Sequence, residues 1–374
     1  MMKFVTLSAT ACLLVAGILT FGNLKEKPRD LGQLRFHLPI VSVKAKPLSS
    51  AECDPFPDPV IRLETQSRYS KGDKSKTIVD EAASATYEKQ IAPVRQFSRL
   101  VVGLANDFTI TNGENLEPAY CAGKAIVAWA NVDALRYTPT ENAAFNKALF
   151  LAAVSSAFLQ VSQSNQISIA DQEVVKNWLA EMARDTQIFY TKKRESKSLK
   201  PNNIQFWAAF AVANAAVATG DMPAFDWAMK GLELGVCAAT DEGAIPREID
   251  RKALALHYHL FALQPLISLA ELASINGRQG YDVCDGKLTK IVNFTLDQLD
   301  DPARIQELSG SEQKPVGALK SNNDLAWLEI YVRHSPNFSW AGRMESLRPF
   351  SNTNMGGRLT ELFGDPKTTQ SITN

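Results

Sequence analysis

Apolar residues recur three and four positions apart along most of the chain from residue 77 onward, the spacing that gathers them on one face of a helix. Val101, Leu104 and Phe108 illustrate the pattern. Glycine, asparagine and aspartate separate the periodic segments, and no alternating run is long enough to build a sheet. Short connections between these segments favour antiparallel helical hairpins, so the sequence predicts an all-α chain. The expected helices span residues 77–106, 117–136, 141–164, 169–192, 203–219, 222–237, 246–264, 266–276, 283–299 and 322–334.

The segment Pro246–Leu266 predicts one buried helix that carries polar side chains. Pro246 suits a first helical position, and Pro265 is expected to end the helix because it has no N–H group to donate. Arg251 and Tyr258 are seven residues apart, so they would project from nearly the same side, roughly 10 Å apart along the axis. Such a pair suits an acidic substrate. A structural ion pair and a core tyrosine are the alternative that stays open.

Charge and composition limit the classes of partner. The 374 residues include 40 basic and 40 acidic side chains and are 45% hydrophobic, enough for one large domain or two ordinary ones. A formal net charge of +0 and the lack of a dense basic run give no indication of nucleic-acid binding. Any polyanion would therefore be recognised by arginine and lysine side chains placed locally in a cleft.

The N-terminus has the pattern of an export signal. Lys3 precedes an apolar stretch that continues to about Phe21, so residues 1–23 are predicted to be a signal peptide. An uncleaved signal anchor is the alternative, because the stretch approaches the length of a membrane span. Residues 24–50 are expected to form a linker or N-terminal arm, and residues 367–374 a flexible tail. We expect a periplasmic or secreted protein that meets a membrane only through such an anchor.

The cysteines fit an oxidising compartment. Cys12 lies in the predicted signal, which leaves Cys53, Cys121, Cys237 and Cys284 in the exported part. An even number favours disulfides, and four cysteines permit three connectivities. A zinc site is the alternative, but no Cys-x-x-Cys occurs and the chain has only four histidines. We therefore expect no metal and no cofactor.

The run Asn202–Ala218 reads NNIQFWAAFAVANAAVA, two asparagines that lead into an aromatic and alanine-rich helix. It resembles the alginate lyases, the mannuronate lyases of polysaccharide lyase family 5, whose pattern here is Asn-Asn-His-x-aromatic-Trp-Ala-Ala. A later run in that family, Arg followed by Ala-Leu and Tyr-His, is similar to Arg251, Ala253–Leu256 and Tyr258–His259. Further matches in the same order are Ser67-Arg68-Tyr69, Cys121 with Trp129, Phe225-Asp226-Trp227-Ala228, Asp241-Glu242-Gly243, Ala326-Trp327-Leu328-Glu329, Pro349-Phe350 and Gly356-Gly357.

The resemblance implies a fold and a disulfide. The fold is an incomplete (α/α) toroid of antiparallel helical hairpins with a central cleft, which we expect over residues 51–366. The family also has a disulfide at the positions of Cys53 and Cys121, which leaves Cys237 and Cys284 to pair by elimination.

The resemblance also implies a reaction, β-elimination at a uronic acid of an acidic polysaccharide. Tyr258 would take the C5 proton and return a proton to the departing O4, while Arg251 and Asn203 neutralise the substrate carboxylate. Arg251 would also lower the pKa of the Tyr258 phenol. For Asn202 a helix N-cap is an equally good interpretation.

Other matched residues are expected to bind the sugar. Tyr69, Trp207 and Trp129 would form an aromatic platform, although tryptophans at such positions are more often core residues. Arg68 replaces a lysine of the family pattern, and the lysines at 71, 74 and 76 form either a basic lid or a solvated loop. His259 matches a family histidine and would support the site.

One departure keeps three functions open. The family histidine after the second asparagine is Ile204, which cannot carry a proton. The chain is therefore predicted to be a lyase on an alginate-like polymannuronate, a lyase on another acidic exopolysaccharide, or a non-catalytic polysaccharide-binding relative that works with export machinery. His257 or His259 could replace the missing histidine, although a core position is favoured for His257.

Overall fold

The computed structural model describes residues 33–195, 201–315, 323–335 and 338–363. The predicted signal sequence and tail lie outside these ranges. The described residues form a single unit. In the described part the only β-pairing is three isolated bridges, so the prediction of an all-α fold is confirmed.

Thirteen α-helices are described, numbered here in chain order. They are α1 (Glu81–Ile110), α2 (Glu117–Asn131), α3 (Glu141–Val161), α4 (Ile169–Glu195), α5 (Asn203–Thr219), α6 (Met222–Cys237), α7 (Pro246–Ile249), α8 (Ala255–Ile275), α9 (Val283–Asp300), α10 (Ala303–Ser309), α11 (Leu328–His334), α12 (Ala341–Leu347) and α13 (Leu359–Phe363). Two short 3₁₀ helices lie at Lys252–Leu254 and Thr353–Met355.

Local sequence explains where the long helices begin. The side chains of Asp80, Thr140, Asn202 and Asp221 each accept a hydrogen bond from the backbone N–H three residues later, which satisfies one of the free donors at a helix start. The N-cap interpretation of Asn202 is thus confirmed. Gly220 ends α5 with a φ of 75°, a left-handed conformation that glycine adopts without steric cost.

The long helices pack as two layers. In the inner layer α1, α3, α5 and α8 contact one another in that order, and in the outer layer α2, α4, α6 and α9 do the same. The helices α3 and α5 are buried on nearly every side, because alanine lets their neighbours approach closely. The segments Glu141–Val161 and Lys252–Ile275 are long and apolar enough to cross a membrane, but most of each is buried inside the protein. The predicted incomplete toroid is confirmed by this arrangement.

A helix begins at Pro246 as predicted, but the prediction of one continuous helix that ends at Pro265 is wrong. The chain forms the single turn α7, then the 3₁₀ turn Lys252–Leu254, and only then α8. Helix α8 continues through Pro265 to Ile275. A proline inside a helix costs about 3 kcal/mol. Burial of the apolar residues on both sides of Pro265, such as Leu263 and Leu266, outweighs that cost.

The segment before α1 packs on the helices, and two disulfides add covalent links. Residues 33–50 contain no helix, and Leu38 is buried among core residues. The predicted Cys53–Cys121 disulfide is present and joins the segment before α1 to α2, with a Cα–Cα distance of 5.5 Å. The pairing by elimination is also present, since Cys237 and Cys284 are bonded.

Candidate active site

A cleft opens at the ends of the inner helices. It has a volume of about 350 Å³, and every inner helix contributes to its wall. The sequence segment before α1 and the turn before α8 close two further sides. The lining residues are Ser67, Arg68, Tyr69, Lys76, Tyr87, Arg95, Asn142, Phe145, Leu149, Asn203, Ile204, Arg251, His257, Tyr258, Phe261, Asp324 and Asn354.

Arg251 and Tyr258 meet in this cleft, although they do not share a helix. The guanidinium carbon of Arg251 lies 3.4 Å from the centroid of the Tyr258 ring. Its Nε donates to the carbonyl of Ser75 at 2.7 Å, and Nη2 donates to the carbonyl of Lys76 at 3.1 Å. The arginine therefore ties the loop before α1 to the first turn of α8. The prediction that the two side chains lie close together is confirmed, but they do not project from one helix. The 3₁₀ turn between Arg251 and α8 brings them together.

Tyr258 also forms a pair with Tyr69, whose hydroxyl lies 3.0 Å from the Tyr258 hydroxyl. Burial raises the pKa of Tyr258 well above its usual value of 10 and outweighs the opposing charge of Arg251. Arg251 does lower the pKa of Tyr258, as expected, but its effect is smaller than that of burial, so the pKa stays above 10 overall. Burial also raises the pKa of Tyr69, but its hydrogen bonds with Tyr258 and Arg68, and the charges of Arg68 and Arg251, lower that pKa below 10 overall.

Asn203 lies at the first position of α5 and is 2% exposed. Its backbone N–H donates to Glu248 Oε1 at 2.7 Å, and its Nδ2 donates to Glu248 Oε2 at 2.8 Å. An amide nitrogen carries two hydrogens, so one N–H is left for a ligand in the cleft. The structure thus brings Asn203 together with Arg251, Tyr258, Arg68 and Tyr69.

Two of the proposed aromatic platform residues are not in the cleft. Trp129 is 0% exposed and stacks on Phe97 at 3.9 Å between ring centroids, with its Nε1 donating to the Pro57 carbonyl. Trp207 is also 0% exposed and lies behind Phe261, 5.4 Å away. Both interpretations as sugar-binding residues are wrong, because the packing of α2 and α5 against their neighbouring helices places these large rings in the core.

His259 is likewise a core residue rather than a substrate ligand. It is 0% exposed, Nδ1 pairs with the Ala255 carbonyl at 2.8 Å, and Nε2 accepts the Ile245 N–H at 2.9 Å. With Nδ1 as the donor, the neutral ring satisfies both contacts. Burial lowers the pKa of His259 to about 4, so it stays neutral and holds the segment before α7.

His257, by contrast, lines the cleft instead of the core. Its ring makes an edge contact with Tyr258, with 5.0 Å between centroids. Burial lowers the pKa of His257, partly offset by the negative charge of Asp324. A neutral imidazole therefore lies beside Tyr258 in the cleft.

Several lining residues carried no signal strong enough to be singled out from the sequence. Tyr87 and Arg95 are two turns apart on α1, where the Arg95 guanidinium lies over the Tyr87 ring at 5.3 Å. Phe145 and Phe261 form the aromatic wall, 6.4 Å apart. Arg95 and its neighbour Arg99 also line an adjoining groove of about 250 Å³, which extends the cleft along α1. Such residues resemble ordinary helix positions until the toroid brings them together.

Comparison with known proteins identifies the family of the chain that forms this cleft. Residues 64–305 match the family model described as alginate lyase. The chain belongs to the alginate lyase family. Membership makes the protein a polysaccharide lyase by family, as the resemblance implied.

Individual alginate lyases are similar in sequence or fold to this chain over most of their length. The chain is 28% identical to an alginate lyase of Pseudomonas putida and 27% identical to that of Pseudomonas aeruginosa, covering 84% of this chain and 86% of each relative. Alginate lyase A1-III from Sphingomonas species A1 has the same fold, with a TM-score of 0.69, 21% identity, and coverage of 84% and 86%. A variant of that enzyme complexed with tetrasaccharide gives a TM-score of 0.71 at 20% identity, over the same shares.

Relative to the alginate lyase pattern, the cleft differs at two positions. Ile204, where the family pattern has histidine, presents an apolar side chain to the cleft. Arg68, where the pattern has lysine, donates to the Tyr69 hydroxyl at 3.4 Å and keeps a positive charge there. Among the described residues, no group of three or more His, Cys, Asp or Glu side chains is arranged to hold a metal ion.

Proposed function

We propose that this alginate lyase family member cleaves a uronic-acid polysaccharide, an alginate-like polymannuronate, by β-elimination. One observation carries the proposal. The Tyr258 hydroxyl lies in the cleft, bonded to Tyr69 at 3.0 Å, while Arg251 covers the ring of the same tyrosine. A phenol, a second phenol and a fixed cation in one cleft suit proton abstraction next to a carboxylate.

The first requirement of the reaction is to neutralise the substrate carboxylate, because the C5 proton is otherwise too weakly acidic to remove. Asn203 offers its second amide N–H, and Arg251 supplies positive charge. Arg68 adds a second cation to the lining of the cleft. These donors stabilise the negative charge that grows as C5 loses its proton, where fixed donors are most effective.

The second requirement is a base. In the phenol pair Tyr69 has the lower pKa, so it ionises first and accepts a hydrogen bond from Tyr258. Transfer of the Tyr258 proton to Tyr69 leaves Tyr258 as the phenolate beside Arg251. Tyr258 then takes the C5 proton, the C5–H electrons form the C4=C5 bond, and the C4–O4 bond breaks. The departing O4 receives a proton from Tyr258, so protons and electrons balance.

We also propose that the protein is periplasmic or secreted, a location that fits this substrate. The disulfides Cys53–Cys121 and Cys237–Cys284 form in oxidising compartments, where exopolysaccharides are also found. The groove that continues past Arg95 and Arg99 gives room and positive charge for more than one sugar unit of a polymer.

A second candidate substrate is supported by Ile204. An apolar side chain in the cleft wall replaces a polar group of the family pattern, which favours an acidic exopolysaccharide with a less polar substituent at that subsite. A non-catalytic protein that binds polysaccharide during export is the remaining alternative.

A panel of acidic polysaccharides tests the proposal. The purified protein is mixed with polymannuronate, polyguluronate and other polyuronates, and the ultraviolet absorbance of the new C4=C5 bond is followed. Rising absorbance with polymannuronate supports the proposal, and rising absorbance only with another polymer supports the second candidate. Binding without any absorbance change, measured by calorimetry, would contradict the lyase function.

A further inference from the structure

Glu248 is a buried carboxylate that the reaction described above does not use. It lies on the single turn α7, is 0% exposed, and has both oxygens directed at one residue. Oε1 accepts the Asn203 backbone N–H at 2.7 Å, and Oε2 accepts the Asn203 Nδ2–H at 2.8 Å. The carboxylate therefore fixes both the main chain and the side chain of a residue in the cleft wall.

Stability alone does not favour this arrangement. Burial of a carboxylate costs several kcal/mol, which a cationic partner with good geometry usually offsets. Glu329, another buried carboxylate, has such a partner, since Arg348 donates to its two oxygens at 2.7 and 2.8 Å. Glu248 instead receives neutral amide donors. The burial of Glu248 beside neutral donors at the edge of the cleft is therefore better explained by a role in positioning Asn203.

The backbone of Glu248 reaches the other carboxylate-binding residue. Its carbonyl accepts the Arg251 N–H at 3.1 Å, within the turn that carries Arg251 into the cleft. One residue thus connects α5, where Asn203 begins the helix, to the turn that bears the catalytic cation.

We propose that Glu248 is a positioning residue that holds the Asn203 amide in the orientation needed to bind the substrate carboxylate. The inference rests on the proposed function and deepens it. Each of the two Asn203 donors has its own oxygen of the Glu248 carboxylate. Without it, the amide is free to rotate and present its oxygen to the anionic substrate.

The positioning role of Glu248 is expected to depend on pH, because it requires the ionised carboxylate. Burial raises its pKa to about 7, against the opposing effects of the two Asn203 hydrogen bonds and the charges of Arg251 and Arg247. Protonation of either oxygen weakens one of the two bonds to Asn203. The positioned amide is therefore expected above pH 7 and is lost progressively as the pH falls below it.

The test is a double-mutant cycle on polymannuronate. Glu248→Gln keeps the shape but leaves only one acceptor oxygen, and Asn203→Ala removes the amide that is positioned. We expect each variant to lower kcat by about 10- to 100-fold, and the double variant to be no worse than Asn203→Ala alone. Glu329→Gln is the matched control, because it perturbs an equally buried carboxylate away from the cleft. Its kcat per folded molecule is expected to stay within about twofold of the wild type.

A second readout does not depend on activity. With ¹⁵N-labelled asparagine, the side-chain amide signal assigned to Asn203 by the Asn203→Ala variant should shift with a midpoint near pH 7. The shift should disappear in Glu248→Gln and persist in Glu329→Gln.

The outcomes separate the two proposals. An inactive wild type with the pH-dependent Asn203 signal would overturn the proposed function but not the positioning role. An active wild type whose Glu248→Gln variant keeps its kcat, or whose double variant multiplies the two losses, would overturn the positioning role alone. An Asn203 signal that does not respond to pH between 5 and 9 would overturn it as well.

Discussion

Replacing Arg251 with lysine separates the charge of this residue from its shape. Lysine keeps the positive charge but lacks the planar guanidinium that covers the Tyr258 ring and reaches two carbonyls. In the structure those contacts are the 3.4 Å ring contact and the bonds to Ser75 and Lys76. The Arg251→Lys variant therefore loosens the loop before α1 without removing the cation.

The magnitude follows from these contacts. Each lost hydrogen bond to a charged donor is worth about 1.5 kcal/mol, and the contact with the aromatic ring about 1 kcal/mol. A lysine ammonium recovers part of this by reaching one carbonyl, so we estimate a net loss of about 2 kcal/mol. Since about 1.4 kcal/mol changes a rate tenfold, kcat/KM is expected to fall about 30-fold.

The assay has two parts. Steady-state elimination on polymannuronate gives kcat/KM, and brief trypsin digestion reports loop mobility through cleavage after Lys71 and Lys74. Arg251→Lys should be cleaved faster in this loop than the wild type. Arg247→Lys is the control, because the Arg247 ion pair with Asp250 lies at the surface and contributes little. If Arg251→Lys keeps kcat/KM within threefold and its loop stays protected, the anchoring role of Arg251 is refuted.

Three further variants test other parts of the structure. Tyr69→Phe removes the phenol with the lowered pKa, so kcat on polymannuronate should fall about tenfold and the rising limb of its pH profile should move to higher pH; an unchanged profile would exclude Tyr69 from the proton path. Ile204→His adds a polar donor to the cleft and should raise kcat/KM on polymannuronate up to about tenfold, whereas no gain would show that the family histidine is not what this cleft lacks. Replacing Cys53 and Cys121 with serine opens a bridge between residues 68 positions apart and should lower the free energy of unfolding in urea by about 3 kcal/mol, and a loss below about 1 kcal/mol would contradict that.

The helical architecture could be predicted because helix periodicity and capping are local properties. Thr140 and Asp221 begin helices at the positions that the sequence indicated, and α5 and α6 have the predicted bounds. The segment around Pro265 was predicted wrongly for a physical reason. Local sequence shows the lost N–H group of proline, whereas the burial that compensates for it comes from helices distant in the chain.

The site could be predicted only in part. Arg251 and Tyr258 were singled out from the pattern of their own segment, and the family resemblance added Asn203 and the roles of all three, which line one cleft. Trp129 and Trp207 were assigned to the wrong environment, since a motif shows which residue is present but not which face of its helix is buried.

Glu248 shows a further limit of sequence reasoning. A single glutamate at the start of a helix is usually explained by the helix dipole. Its contact with Asn203, 45 positions earlier, exists only once α5 and α7 are packed together. The balance of burial and charge that sets the pKa values of Tyr258 and Tyr69 likewise depends on the assembled cleft.

The most direct measurement of the central claim is elimination by the Tyr258→Phe variant, compared with its affinity for an unsaturated mannuronate oligosaccharide. The phenyl ring keeps the contact with Arg251 and loses only the hydroxyl that carries the proton. We expect the rate of C4=C5 bond formation to fall at least about 1,000-fold, while the dissociation constant changes less than about threefold. A Tyr258→Phe protein that still cleaves polymannuronate at a rate near that of the wild type would contradict the account.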